Sequence, residues 1–141
     1  MVILLWCIGI FWEIVVHFFP KSVIAVPLLK YNYSLVCHQQ TEKLFRIYGY
    51  NTLVCSRCTG IYLGALFSSS IILFAKLKKV SKRIMIISSV PMFMDVTLYS
   101  SGLYSYSKLI ALITGLILGS VGFLYIHDAV INILIQKKGK N

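Results

Sequence analysis

Apolar residues in this chain come in four long blocks rather than in the short alternations of a soluble fold. Residues 2–19, 59–75, 84–101 and 108–126 each approach the roughly 20 helical residues needed to cross a bilayer core, and the last block has an apolar continuation to Ile135. Backbone polar groups in hydrocarbon must bond within their own segment, and no turn-separated strand alternation of a barrel is present. The expected fold is therefore all-α, an integral membrane bundle of four transmembrane helices, with 1–141 as a single membrane domain. Residues 20–58 are the long connection that carries Cys and His side chains.

Details within the blocks refine that picture. The first lacks a basic leader and a small-residue cleavage site and contains Glu13 and His17, so it reads as a retained helix rather than a signal peptide. Pro20 ends it and Pro27 blocks an immediate second crossing. Lys21 to Val36 is therefore expected at the membrane interface, a level that suits Tyr31 and Tyr33. Gly60-x-x-x-Gly64 and Gly115-x-x-x-Gly119 place small residues on one face of the second and fourth blocks, which predicts that those two helices touch.

Composition agrees: 58% of the residues are hydrophobic and 13% charged, against about 25% charged in soluble domains. Basic residues number 14 and acidic ones 4, for a net charge of +10. No Lys/Arg stripe interleaved with stacking aromatics accompanies that charge, so the bilayer and not nucleic acid is the expected partner. Lys76, Lys78, Lys79, Lys82 and Arg83 crowd the second connection, and Lys137, Lys138 and Lys140 the tail. By the excess of basic residues in cytoplasmic loops, both termini are expected inside a cell-membrane, multi-pass topology, and the 20–58 loop outside.

Ionisable groups in a span each cost at least about 2.5 kcal/mol at its centre and mark functional candidates. Glu13 and His17 lie four apart on one helix face, and Asp95 falls roughly 16 Å from the inner end of the third block, just past Pro91. These three are the candidate catalytic groups. Against that stands simple pairing, of Glu13 with His17 and of Asp95 with Arg57. His127 and Asp128 read as solvated interfacial residues, and Cys7 as a small packing residue.

Candidate chemistry concentrates in Cys37-His38 and Cys55-x-x-Cys58, separated by about 16 residues, near the spacing of many zinc sites. Cys37, His38, Cys55 and Cys58 are the expected metal ligands, with a zinc ion as the expected cofactor and another transition metal as an alternative. Neighbours such as Cys37 and His38 rarely point at one ion, so one of them is a candidate supporting group. The same atoms suit a second class. A CxxC at a helix N-terminus beside Arg57 has an acidified thiol, as in a membrane thiol-disulfide oxidoreductase that passes electrons to quinone through Cys55 and Cys58. A third class is an accessory subunit docking on other membrane subunits or on a second copy of itself. Soluble hydrolase and phosphate-loop patterns are absent.

The residues Cys37-His38-Gln39, Phe45, Gly49-Tyr50, Val54-Cys55-x-Arg57-Cys58-Thr59-Gly60-Ile61-Tyr62-Leu63-Gly64, Pro91-Met92-x-x-Asp95-x-Thr97 and Thr114-Gly115 resemble a family of small prokaryotic membrane proteins, the domain of unknown function numbered 2085. The resemblance runs from Cys37 to about Gly119. It implies a multi-span membrane protein in which these polar residues are shared, and it brings no activity with it. The chain departs from the family's pattern at Thr41-Glu42-Lys43-Leu44, where proline and Glu-Arg-Ser are usual, and at Ala111, where a basic residue is frequent.

Overall fold

A computed structural model describes residues 2–47, 49–74 and 80–138. The basic residues Lys76, Lys78, Lys79 and Lys140, on which part of the topology expectation rests, lie outside the described residues, as does Tyr48. The chain is mostly helical. In order it forms α1 (Val2–Ile10), α2 (Trp12–Phe18), a short 3-10 turn (Pro20–Ile24), α3 (Ala25–Ser34), a second 3-10 turn (Thr41–Lys43), β1 (Leu44–Ile47), β2 (Tyr50–Cys55), α4 (Ser56–Phe74), α5 (Lys82–Ser100) and α6 (Lys108–Lys138).

Among the described residues, two helices have the length and apolarity of membrane spans, α4 and the Lys108–Leu134 part of α6. The first expected span is broken at Phe11, whose ψ of 15° leaves the helical range, so it becomes the separate segments α1 and α2. α5 is 19 residues long and runs unbroken through Pro91, but Lys82, Arg83, Ser88, Ser89, Asp95 and Ser100 dilute its apolar character.

The expectation of an all-α protein also needs correction, and the 20–58 connection has regular structure of its own. Pro27 falls in the first turn of α3, where its missing N–H has no partner to lose, so a short helix forms there, at ten residues too short to cross a bilayer. Farther on, β1 and β2 pair antiparallel, Arg46 opposite Asn51 and Ile47 opposite Tyr50, across a turn containing Gly49 at φ 85°. These strands are too short for their periodicity to stand out beside the long apolar blocks. A bulge between Leu44 and Arg46 puts Thr52, Leu53 and Val54 all in the interior. The Thr52 hydroxyl fills it, accepting from Phe45 N at 3.1 Å and donating to Val54 O at 2.9 Å.

The expected contact between α4 and α6 is present and sets the bundle. A Cβ on Gly60 would overlap Leu112 O and one on Gly64 would overlap Leu116 O; in the other direction Gly115 meets Arg57 O and Gly119 meets Ile61 O. The glycines therefore let two backbones touch, as small-residue faces do in lipid. Rising numbers on α4 match rising numbers on α6, so the two helices run parallel. Ser68 Oγ donates to Ser120 O at 3.1 Å and Ser120 Oγ to Gly64 O at 3.3 Å across the seam. At the opposite end from the hairpin, Asp128 Oδ2 accepts from Val80 N at 2.9 Å, a backbone partner beyond the solvation expected of it.

α1 runs antiparallel to α4. Its Ile10 packs with Leu53 and Val54, whereas Cys7 Sγ reaches Tyr62 O at 3.6 Å, one helical step further along α4. Cys7 is buried, as expected of a packing residue. The resulting core of Ile10, Tyr33, Cys37, Leu53 and Val54 joins α1, α3 and the hairpin directly beneath the cysteine motif.

Candidate metal centre

Three elements deliver the cysteines. Cys37 follows the last turn of α3, its N–H donating to Tyr33 O at 2.9 Å. Cys55 ends β2 and is the residue before α4, and Cys58 lies in the first turn of that helix. The Sγ atoms of Cys37, Cys55 and Cys58 all lie within 4.8 Å of one another. A tetrahedral zinc ion at about 2.3 Å from each sulfur sets them roughly 3.8 Å apart, so the trio fits such an ion with little adjustment. Cys37 is buried and the other two are half-buried.

Two features hold the trio. The backbone N–H of Cys55 donates to Cys37 Sγ at 3.2 Å. Gln39 holds the bend after Cys37 at φ 48°, a left-handed conformation uncommon outside glycine, and its Nε2 donates to Lys30 O at 3.1 Å and Leu53 O at 3.0 Å. Both amide protons are thus spent tying the Cys37 turn to α3 and β2. The side-chain role of Gln39 has no signal in spacing or charge; only the Cys-His-Gln resemblance points to it.

The same packing sets the electrostatics. Hydrogen bonds from the Cys55 thiol first and the Cys58 thiol second hold Cys37 far below the ordinary thiol range, outweighing the upward push of its burial. Cys55, a donor to Cys37, is raised in turn. The positive end of the α4 dipole faces this group, adding to the preference for thiolate. One thiolate supported by two thiols is an arrangement ready to exchange its remaining protons for a cation.

The other expected site residues are distributed differently. His38 is exposed and stands outside the sulfur cluster. Glu13 does not turn to His17: its Oε1 lies 3.7 Å from Lys30 Nζ and its Oε2 accepts from Asn51 N at 3.2 Å, so it pins α2 to α3 and β2. His17 lies edge-on to Phe18 and tilted against Tyr50. Asp95 forms an ion pair with Arg57, the pairing considered from sequence. Asp95 is 5% exposed, and its Oδ1 and Arg57 Nε have no hydrogen-bond partner among the described residues. Beside the pair, Ser56 Oγ and the Tyr106 hydroxyl are 2.6 Å apart, and the Arg57 guanidinium lies 5.9 Å from the Tyr106 ring centre. Tyr106 thus closes the facing ends of α4 and α5 over the first turn that carries Cys58. Lys43 Nζ covers the neighbouring Tyr99 ring at 4.4 Å.

The chain has uncharacterized relatives. An uncharacterized protein of Methanocaldococcus jannaschii, MJ1492, is 36% identical over 109 residues, covering 74% of this chain and 70% of the relative. An uncharacterized protein of Methanothermobacter thermautotrophicus is 52% identical over 33 residues, 23% of this chain and 30% of that protein. No solved structure gives a significant match. The family described as predicted membrane protein (DUF2085) matches residues 37–125, which begin at the first cysteine of the cluster and run through α4, α5 and most of α6, and the chain belongs to that family.

Proposed function

We propose that this protein is a multi-pass membrane protein that holds a zinc-type ion through Cys37, Cys55 and Cys58 at the outer mouth of its helix bundle. The convergence of the three sulfurs within 4.8 Å carries this reading. Three thiolates leave one tetrahedral position for water or an incoming ligand, the feature of open rather than closed zinc sites. His38 is left out of the set because it is exposed.

The parallel course of α4 and α6 supports the multi-pass arrangement. A chain cannot traverse the bilayer twice in one direction without returning, and α5, at 19 residues, is about 28 Å long, enough for that return. α1 lies antiparallel to α4 as the fourth helix, its N-terminal end pointing inward. Lys82 and Arg83 at the start of α5, opposite the hairpin end, favour a cytoplasmic inner face and C-terminus.

Metal analysis of detergent-purified protein tests the reading. About one zinc per chain is expected, lost in Cys37→Ser, Cys55→Ser and Cys58→Ser and kept in Cys7→Ser and His38→Ala. Less than half an ion per chain in the parent protein, with free thiols or a disulfide instead, ends the proposal. The closeness of the three sulfurs also favours a second reading, thiol-disulfide exchange, although the acidified thiol expected within the CxxC lies at Cys37 instead. In that case the Cys55 and Cys58 thiols lose two protons and two electrons to a quinone as they form a disulfide. Thiol trapping separates the two, because only the redox reading has Cys55 and Cys58 change state on adding quinone.

A further inference from the structure

α3 is built with two opposite faces. Val26, Leu29 and Tyr33 turn inward, Tyr33 almost fully buried. Ile24, Leu28, Tyr31 and Leu35 turn outward and are 85%, 66%, 67% and 71% exposed. Ile24 and Leu35 flank the helix in right-handed helical dihedrals, so at about 100° per residue the four side chains fall within roughly 60° of one another. This apolar stripe points away from the protein.

Depth identifies what meets it. The Tyr33 hydroxyl donates to Trp6 O at 2.6 Å, and Trp6 packs edge-on to Tyr62, inside α4. α3 is therefore level with the first turns of a membrane span and not above them. Leu4, Leu5 and Ile8 of α1 are exposed at the same level, so the stripe continues the lipid-facing surface of the bundle. The polar residues beside it are compatible with that surface. Asn32 Nδ2 donates to Leu28 O at 2.9 Å and Ser34 Oγ to Tyr31 O at 2.7 Å, so each has a donor paired within the protein, which lowers the cost of contact with lipid.

We infer that α3 lies in the outer leaflet as a re-entrant amphipathic helix whose Ile24-Leu28-Tyr31-Leu35 stripe contacts lipid acyl chains. Lys21, exposed just before the stripe, reaches toward headgroups as long basic side chains do, whereas Lys30 is engaged with Glu13 on the far side of the helix. Cys37 follows directly from this helix, so lipid forms the outer support of the turn that brings it to the metal centre.

Site-specific photocrosslinking of the full chain in vesicles of phosphatidylethanolamine and phosphatidylglycerol tests the inference. p-Benzoylphenylalanine is placed singly at Leu28, Tyr31 and Leu35, with Glu42, exposed in the second 3-10 turn, as the reference. Phospholipid adducts several-fold above the Glu42 yield are expected at all three stripe positions. Yields no higher than at Glu42, or adducts to a second protein chain, overturn it. Because the label replaces exposed side chains, and three positions read the same face, a single poorly folded variant does not decide the outcome. Metal content measured on the same samples reports separately on the cysteine site.

Discussion

Arg57 and Asp95 show how one residue pair joins α5 to the cysteine motif. Arg57 stands between Cys55 and Cys58, and its guanidinium reaches across to the one acid of α5. Removing one partner of a buried pair leaves an uncompensated charge, with a cost on the order of 3 kcal/mol. Asp95→Asn is therefore expected to lower the thermal unfolding midpoint in detergent, and Arg57→Gln combined with Asp95→Asn is expected to recover part of the loss. Equal midpoints for Asp95→Asn and the parent protein would show that the pair is solvated and without consequence. At this scale the sequence was informative about residue types and less so about partners. The Arg57 pairing was among the alternatives because an acid in a span seeks a cation. Glu13 and His17, four apart, share no hydrogen bond or ion pair among the described residues, because Lys30 on α3 and Asn51 on the hairpin reach Glu13 from outside its own helix.

Helical elements follow the apolar blocks closely in α4 and α6 and less closely where α2, α3 and the hairpin pack together. α4 and α6 lie where the blocks predicted, and their glycine faces meet because hydrocarbon offers no hydrophobic drive to separate helices that can pack backbone on backbone. Gly60→Leu would push a side chain into Leu112 O and Leu116 N; at a cost of about 1–3 kcal/mol for overpacking, the variant is expected to melt earlier than the parent protein. Gly122 has open space around its Cβ position, so Gly122→Ala should be neutral or gain up to about 1 kcal/mol from helix propensity. Identical melting of both variants would contradict the seam. α3 and the hairpin escaped the sequence reading for a physical reason: Pro27 acts as a breaker only inside a helix, and the Thr52 bulge hides the two-residue period of β2 by burying three consecutive residues.

For the whole molecule, parallel α4 and α6 with α5 between them put the hairpin and cysteines at one end and the start of α5 at the other. With the cysteine end outside, Glu42→Cys should react with an impermeant maleimide in intact cells and Lys82→Cys only after permeabilisation; the reverse pattern would invert the topology. The sequence by itself determined that this is a membrane protein, roughly where its long helices run, which glycines make them touch, and that Cys37, Cys55 and Cys58 belong to one site, because hydropathy, small-residue spacing and the CxxC interval are local properties of the chain. Tertiary structure alone decided that His38 stands outside the sulfur cluster, that Gln39 fixes the Cys37 turn, and that Glu13 ties α2 to α3 and β2. Those outcomes depend on where α3 and the hairpin fold back against α1 and α4, and contacts between segments twenty to forty residues apart leave no periodic trace in sequence.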